Sequence, residues 1–186
     1  EPVPRFVQSD TEKVVASATN ANIVLGRDRP GSRLSGYGGS GDTHCASIDM
    51  VAGRMASNAA SVTGDGEAMS TDPNFKLDAA RIYISQKTDI DTNFGITDGL
   101  VGNATAKSGI GLKADGVRIV ASEGIKLVTK TDMKNSQGGA VDQISGIDLI
   151  AGNDDEELQP IPYMNSSYFL TTQKLLQTQY INDFKL

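Results

Sequence analysis

Gly-Ile-Gly-Leu at 109–112, Gly-Val-Arg-Ile at 116–119 and Gly-Ile-Lys-Leu at 124–127 repeat one short pattern three times within residues 109–130. Each copy reads glycine, apolar, free, apolar. The second and third copies stay in phase beyond the pattern, because Val117, Ile119 and Val120 map onto Ile125, Leu127 and Val128. Alternate side chains of a strand point to opposite faces, so Val117 and Ile119 share one face and Arg118 takes the other. Glycine is expected to supply the bend before each strand. Strands this short, turned at so short a period, cannot each bury a face alone; they stack on one another or on copies from other chains. The signature returns at 146–149 as Gly-Ile-Asp-Leu. Relatives without the glycine occur around Ile23, around Ile48 and at 80–84, so strand modules run through most of the chain.

The composition agrees with a thin core. The 186 residues include 20 glycines and no tryptophan, and the 38% apolar share lies below the roughly 45–50% of an average globular chain. Such a chain is expected to be a solenoid, or a subunit whose core neighbours complete. A net charge of −6 supplies no basic stripe, so no nucleic-acid partner is expected. No apolar run reaches the roughly 18–20 residues that span a bilayer, so no membrane partner is expected either. One cysteine, Cys45, rules out an internal disulfide framework.

Residues 1–21 open on Pro2 and Pro4 and read as an extended N-terminal arm suited to packing on a neighbouring subunit. Residues 22–108 read as a β-rich, loop-rich module with strands at 23–25, 47–51 and 80–85. In the last, Ile82 and Ile84 share one face while Arg81 and Tyr83 share the other. Residues 109–152 form the repeat module, interrupted by a polar loop at 131–145. Residues 153–186 read as a linker carrying Pro160 and Pro162, then a helix over 166–184, in which Leu176 and Ile181 lie on the apolar side. The fold class expected is mainly β: a β-helix, β-prism or sandwich-like module between an arm and a terminal helix.

Candidate chemistry is sparse. Asp89, Asp91 and Asn93 present oxygen side chains at the first, third and fifth positions of a calcium-type loop, with Asp98 nearby. The glycine, Gly95, falls at the seventh position instead of the sixth, and Leu100 stands where a bidentate Glu is required. Asx residues also serve ordinary turns, so whether these three bind an ion stays open. The glycine-rich stretch 31–46 lacks the Gly-Lys-Ser/Thr ending of a phosphate loop and reads as a structural loop. His44 and Cys45 are the only histidine and cysteine; neighbours on a strand point apart, and no nucleophile elbow accompanies them. The run from Asp154 to Glu157 reads as a solvated acidic turn. No catalytic residue, metal or cofactor is expected.

The run Asp115-Gly-Val-Arg-Ile-Val-Ala-Ser-Glu-Gly-Ile-Lys-Leu-Val-Thr129 resembles the octad repeats of spike proteins in tailed bacteriophages. The stretches 78–91 and 144–154 are similar to segments of large-phage structural proteins. The resemblance implies a virion component of tail, baseplate, fibre-connector or capsid decoration, assembled as a homo-oligomer, with a trimer favoured, and joined to other virion proteins. It also implies that Val117, Ile119, Ile125 and Leu127, or their neighbours one residue on, fill an interior shared between copies, together with Ile147 and Leu149, and that Leu176 and Ile181 attach the terminal helix. The octads run unbroken for many turns in spikes; here two are in phase, one is offset and one follows a loop, which favours a short prism or connector. A β-solenoid enzyme acting on polysaccharide and an adhesin-type binding module are the alternatives from other classes.

Overall fold

Alternation at 23–25, 47–51 and 80–85 becomes the centre of an antiparallel sheet. The computed structural model describes residues 3–28, 45–56 and 63–156. In chain order the elements are β1 (Arg5–Phe6), β2 (Lys13–Ala16), β3 (Ala21–Arg27), β4 (Ala46–Ala52), β5 (Ser70–Thr71), β6 (Ala80–Thr88), α1 (Ile90–Phe94) and β7 (Lys107–Lys113). Five of them form one sheet in the order β2-β3-β4-β6-β7, with every pair antiparallel, while β1 and β5 make a small parallel pair. The chain is therefore mainly β, and among the described residues neither a closed barrel nor a solenoid is present. Glu1–Asp155 is one compact unit and Glu156–Leu186 a second. The predicted helix, with Leu176 and Ile181, lies outside the described residues.

The stretch expected as an arm enters the fold instead. Lys13 to Ala16 pair with Leu25 to Asn22 as an edge strand, and Arg5 and Phe6 pair with Ser70 and Thr71. The Pro-rich start does not prevent this, because the pairing residues lie beyond Pro4 and retain their backbone donors.

Side-chain alternation assigns the two faces correctly but not which one is inside. One cross-strand row reads Val15, Ile23, Met50, Ile82, Leu112 and the next reads Lys13, Leu25, Ile48, Ile84, Ile110. These aliphatic rows face outward, from 37% exposed at Ile84 to 70% at Ile110. The opposite rows read Val14, Val24, Asp49, Tyr83, Gly111 and Ala16, Asn22, Val51, Arg81, Lys113; their members on the three central strands are buried, while Ala16 on the edge strand is exposed. Antiparallel sheets usually turn the apolar face inward. Here the polar face is buried.

A charge cluster makes that possible. Arg81 on β6 donates from Nε to Asp49 Oδ1 at 2.9 Å and from Nη2 to Asp78 Oδ2 at 2.6 Å. Arg54 adds contacts to Asp49 at 3.5 Å and Asp78 at 3.6 Å. Two guanidinium groups and two carboxylates thus neutralise one another in a region with almost no solvent access. Desolvation lowers the pKa of Arg54, and Asp49 and Asp78 oppose that shift. The guanidinium planes also stack on rings, Arg54 over Phe6 at 4.3 Å and Arg81 over Phe75 at 4.1 Å, which supplies apolar cover and a cation–π contact. Phe75 meets Tyr83 and Phe94 edge to face, at centroid distances of 4.8 and 5.0 Å. Lys113, at the end of β7, donates to the carbonyls of Phe75, Lys76 and Asp78 and so pins the covering loop.

Gly109 and Gly111 have a packing reason specific to this cover. A Cβ on Gly111 would lie 2.2 Å from the Phe94 ring, and one on Gly109 would lie 3.0 Å from Ile90. Helix α1 therefore rests directly on the β7 backbone. The bend expected at Gly109 is absent, since the residue lies within strand β7.

Removing one carboxylate should leave a buried guanidinium uncompensated. Asp49→Ala is expected to destabilise the chain by about 3–5 kcal/mol in urea denaturation, the range for breaking buried ion pairs. Tyr83 donates its hydroxyl to Asp28, and burial followed by the Asp28 charge pushes the phenol pKa far above its ordinary value of 10.0. Its stabilising effect is complete below pH 10.0 and declines as pH rises beyond it, because the unfolded phenol then loses a proton the folded one keeps. In an ultraviolet phenolate titration, one of the five tyrosines should ionise only together with alkaline unfolding.

Candidate functional site

Beyond β7 the repeat leaves the sheet. Residues 114–132 have no regular secondary structure and belong to no strand ladder; an isolated bridge that follows joins Lys134 to Ala140 across a small turn. Every residue from 114 to 134 is exposed. Among the residues expected to share a core, Ile119 is 67% exposed and Leu149 74%, and Val117, Ile125, Leu127 and Ile147 are likewise exposed in the single chain. The first repeat copy lies within strand β7, whereas 116–119, 124–127 and 146–149 form no strand.

The glycines of the second and third copies differ from those of the first. Neither Gly116 nor Gly124 adopts a positive φ, and a Cβ on Gly124 would meet nothing within 4 Å. Of the glycines that open the four copies, Gly146 alone, at φ 100°, takes the conformation that favours glycine. Nothing among the described residues therefore explains glycine at 124.

The strip is fixed at both ends. At its start it continues from β7, and Ser108 N donates to Ser136 Oγ at 3.2 Å. At its far end three acidic or amide side chains hold the 95–101 loop. Val101 N donates to Asp148 Oδ2 at 2.8 Å, Gly99 N to Asp155 Oδ2 at 2.9 Å, and Thr97 N to Asn153 Oδ1 at 2.9 Å. Asn153 Nδ2 donates in turn to Gly95 O. The Gly99 amide, with help from the Thr97 side chain, holds the Asp155 carboxyl below its ordinary value. The acidic turn is thus an anchor, a role its composition alone did not disclose.

The calcium-like residues also serve the backbone. Asp89 Oδ1 accepts from Ala106 N at 2.8 Å and Asp91 Oδ2 from Ala104 N at 2.7 Å, while Asn93 Nδ2 donates to Thr88 Oγ1. Asp98 accepts from the Asn103 side chain. These contacts fold the loop after α1 back toward β7. Among the described residues no group of three His, Cys, Asp or Glu side chains is placed to hold a metal ion. Cys45 is buried, and its carbonyl accepts from Asp28 N at 2.9 Å where β3 and β4 part. His44 and the glycine-rich loop up to it lie outside the described residues.

No family model, curated protein or solved structure matches the chain. What the strip offers is a ladder-free, exposed run whose sequence alternates apolar and polar residues, joined at one end to β7 and at the other to the 95–101 loop. Chemically, it presents amide and carbonyl groups to another strand and aliphatic surface to another core.

The anchor should respond to acid. Asp155 has a depressed pKa, so its contribution is complete above pH 3.8 and is lost as pH falls through the lower folded value. Amide exchange at Gly99, corrected for intrinsic rate, should accelerate in that acidic window. Asp155→Ala should remove the protection at neutral pH while leaving Val101, bonded to Asp148, protected.

Proposed function

We propose that this chain is a structural subunit of a phage virion, in a tail, baseplate, fibre-connector or capsid decoration position, and that it works by assembling with copies of itself and with neighbouring virion proteins. The observation that carries the reading is the exposed, ladder-free repeat strip. Backbone outside any ladder needs partners for its N–H and C=O groups, and alternating aliphatic side chains need a second surface. Water satisfies the polar groups of a lone strip but leaves Val117, Ile119, Ile125 and Leu127 exposed. Copies of the same strip satisfy both needs at once.

Closed symmetry fits this requirement better than open stacking, because a ring of strips leaves no edge for further addition. Three copies wound about one axis form the short β-prism that the octad resemblance implies. Glycine at 124, unexplained among the described residues, then admits the close approach of a neighbouring strand. The reading assigns no reaction to the protein; its output is stiffness and attachment.

The side chains concerned touch little within one chain, so changing them should spare the sheet. Ile119→Asp and Ile125→Asp should each abolish the assembled species, since a carboxylate enclosed among aliphatic groups is far more costly than one in water. Size-exclusion chromatography with light scattering reads the mass, and thermal denaturation of the resulting monomer checks that the sheet is intact. An unchanged assembly in both variants overturns the assignment of the strip.

A further inference from the structure

Where the small turn after the strip meets the start of β7, the chain forms a polar cleft. Lys107 on β7, Lys130 near the end of the strip and Lys134 in the turn line one opening of about 540 Å³. Among the described residues none of these three ammonium groups has a hydrogen-bond or ion-pair partner. Arg54, Arg81 and Lys113, by contrast, direct their donors at carboxylates or carbonyls of the chain. Among the described residues of the cleft the one carboxylate is Asp132, and it accepts from the Thr131 hydroxyl at 3.2 Å instead of from a lysine. Those residues carry a formal +2, three lysines less one aspartate, within a chain whose net charge is −6.

The backbone around the cleft is held in place. Asn135 Oδ1 accepts from Gln137 N at 3.0 Å and from Gly139 N at 2.9 Å, and Asn135 N donates to Gly139 O at 2.8 Å, which fixes the turn that bears Lys134. Ala106, next to Lys107, and Lys130 itself take positive φ, 54° and 61°, uncommon for residues with a side chain. Such conformations persist where the surroundings over-determine them, and they gather at ligand sites.

We propose that this cleft binds a tetrahedral oxyanion of charge −2: the phosphate group of a phosphomonoester, or inorganic phosphate. Like charges around one opening repel, and a dianion among them replaces that repulsion with attraction. Lysine is a compact point charge that suits a tetrahedral group, whereas a planar carboxylate is matched by the fork of arginine, and no arginine among the described residues lines the cleft. The Ser136 hydroxyl accepts from Ser108 N and so keeps its own proton to donate to an anion. A nucleic-acid base finds no aromatic ring to stack on among the described lining residues. The site does not depend on self-assembly.

Equilibrium dialysis of the full chain in low-salt buffer, well above the second phosphate pKa of about 6, tests the site with labelled inorganic phosphate in one arm and labelled glycerol phosphate in the other. Saturable binding is expected. Tighter binding of glycerol phosphate identifies a phosphomonoester as the source of the group, and binding of inorganic phosphate at least as tight identifies the free ion. Lys130→Gln and Lys134→Gln should each weaken binding about tenfold, the scale of one charged hydrogen bond. Lys107→Gln gives the same readout from β7 should either variant fold poorly. Lys76→Gln, which removes an exposed lysine outside the cleft, should leave binding unchanged. Absence of saturable binding in both arms overturns the proposal. Equal weakening by Lys76→Gln also overturns it, since the attraction is then general, as does acetate binding as tight as phosphate.

Discussion

The contact between Asp49 and Arg81 decides how the rest of the structure is arranged. Both sit on central strands, directly among residues that face the covered side, and neither tolerates an apolar surrounding without an opposite charge. Asp78 and Arg54 complete the neutral set from the loops, and Phe6 and Phe75 close over the guanidinium planes. Once that set is formed, register is fixed: a slip of one residue in β4 or β6 would turn a carboxylate or a guanidinium to the other face and unpair its partner. Burial of charge thus does for this sheet what an aliphatic core does for most others, at a larger desolvation cost and with stricter geometry. The aliphatic side chains, displaced from the inside, form the outer surface.

The alternation of apolar and polar residues made β3, β4 and β6 legible in the sequence, along with the correct division of Ile82 and Ile84 from Arg81 and Tyr83. Their orientation was not legible. Alternation reports which residues share a face, while the choice of buried face depended on Arg54 and Asp78, which lie outside the strands. The N-terminal pairing was hidden for a different reason: Lys13 to Ala16 is too short to show a period, and its partner sequence lies beyond the next turn. Asp89 and Asp91 looked like ion ligands because their spacing suits a turn as well as a cation, and in the structure each accepts a hydrogen bond from a backbone amide of the following loop, from Ala106 and Ala104. Asp155 read as part of a solvated run and Asp148 as the free position of a repeat copy, because nothing local reveals the amides of a loop some fifty residues earlier that they and Asn153 bind.

The sheet and the strip carry the same imbalance in two forms. Each has backbone or side chains of the kind normally found inside a protein, displayed on the outside of a single chain. Charges such as Arg118, Glu123 and Lys126 interleave the strip and keep its surface from being uniformly apolar, a common safeguard on exposed strand edges. No comparable charge interrupts the middle of the sheet rows. An isolated chain is therefore prone to non-specific association through the sheet before its strip meets a proper partner.

Attachment of the strip at both ends has a mechanical meaning. A segment held only by β7 would transmit no pull to the rest of the chain and would fray under load. Here a tension applied along residues 114–147 reaches the folded unit at two places: the β7 ladder, and the hydrogen bonds to Thr97, Gly99 and Val101. The latter are spaced along one short loop, so they share a load instead of breaking in sequence. The tether then behaves as a strap with two buckles, and the weaker of them, built on carboxylates and a carboxamide at the surface, sets the force at which it opens.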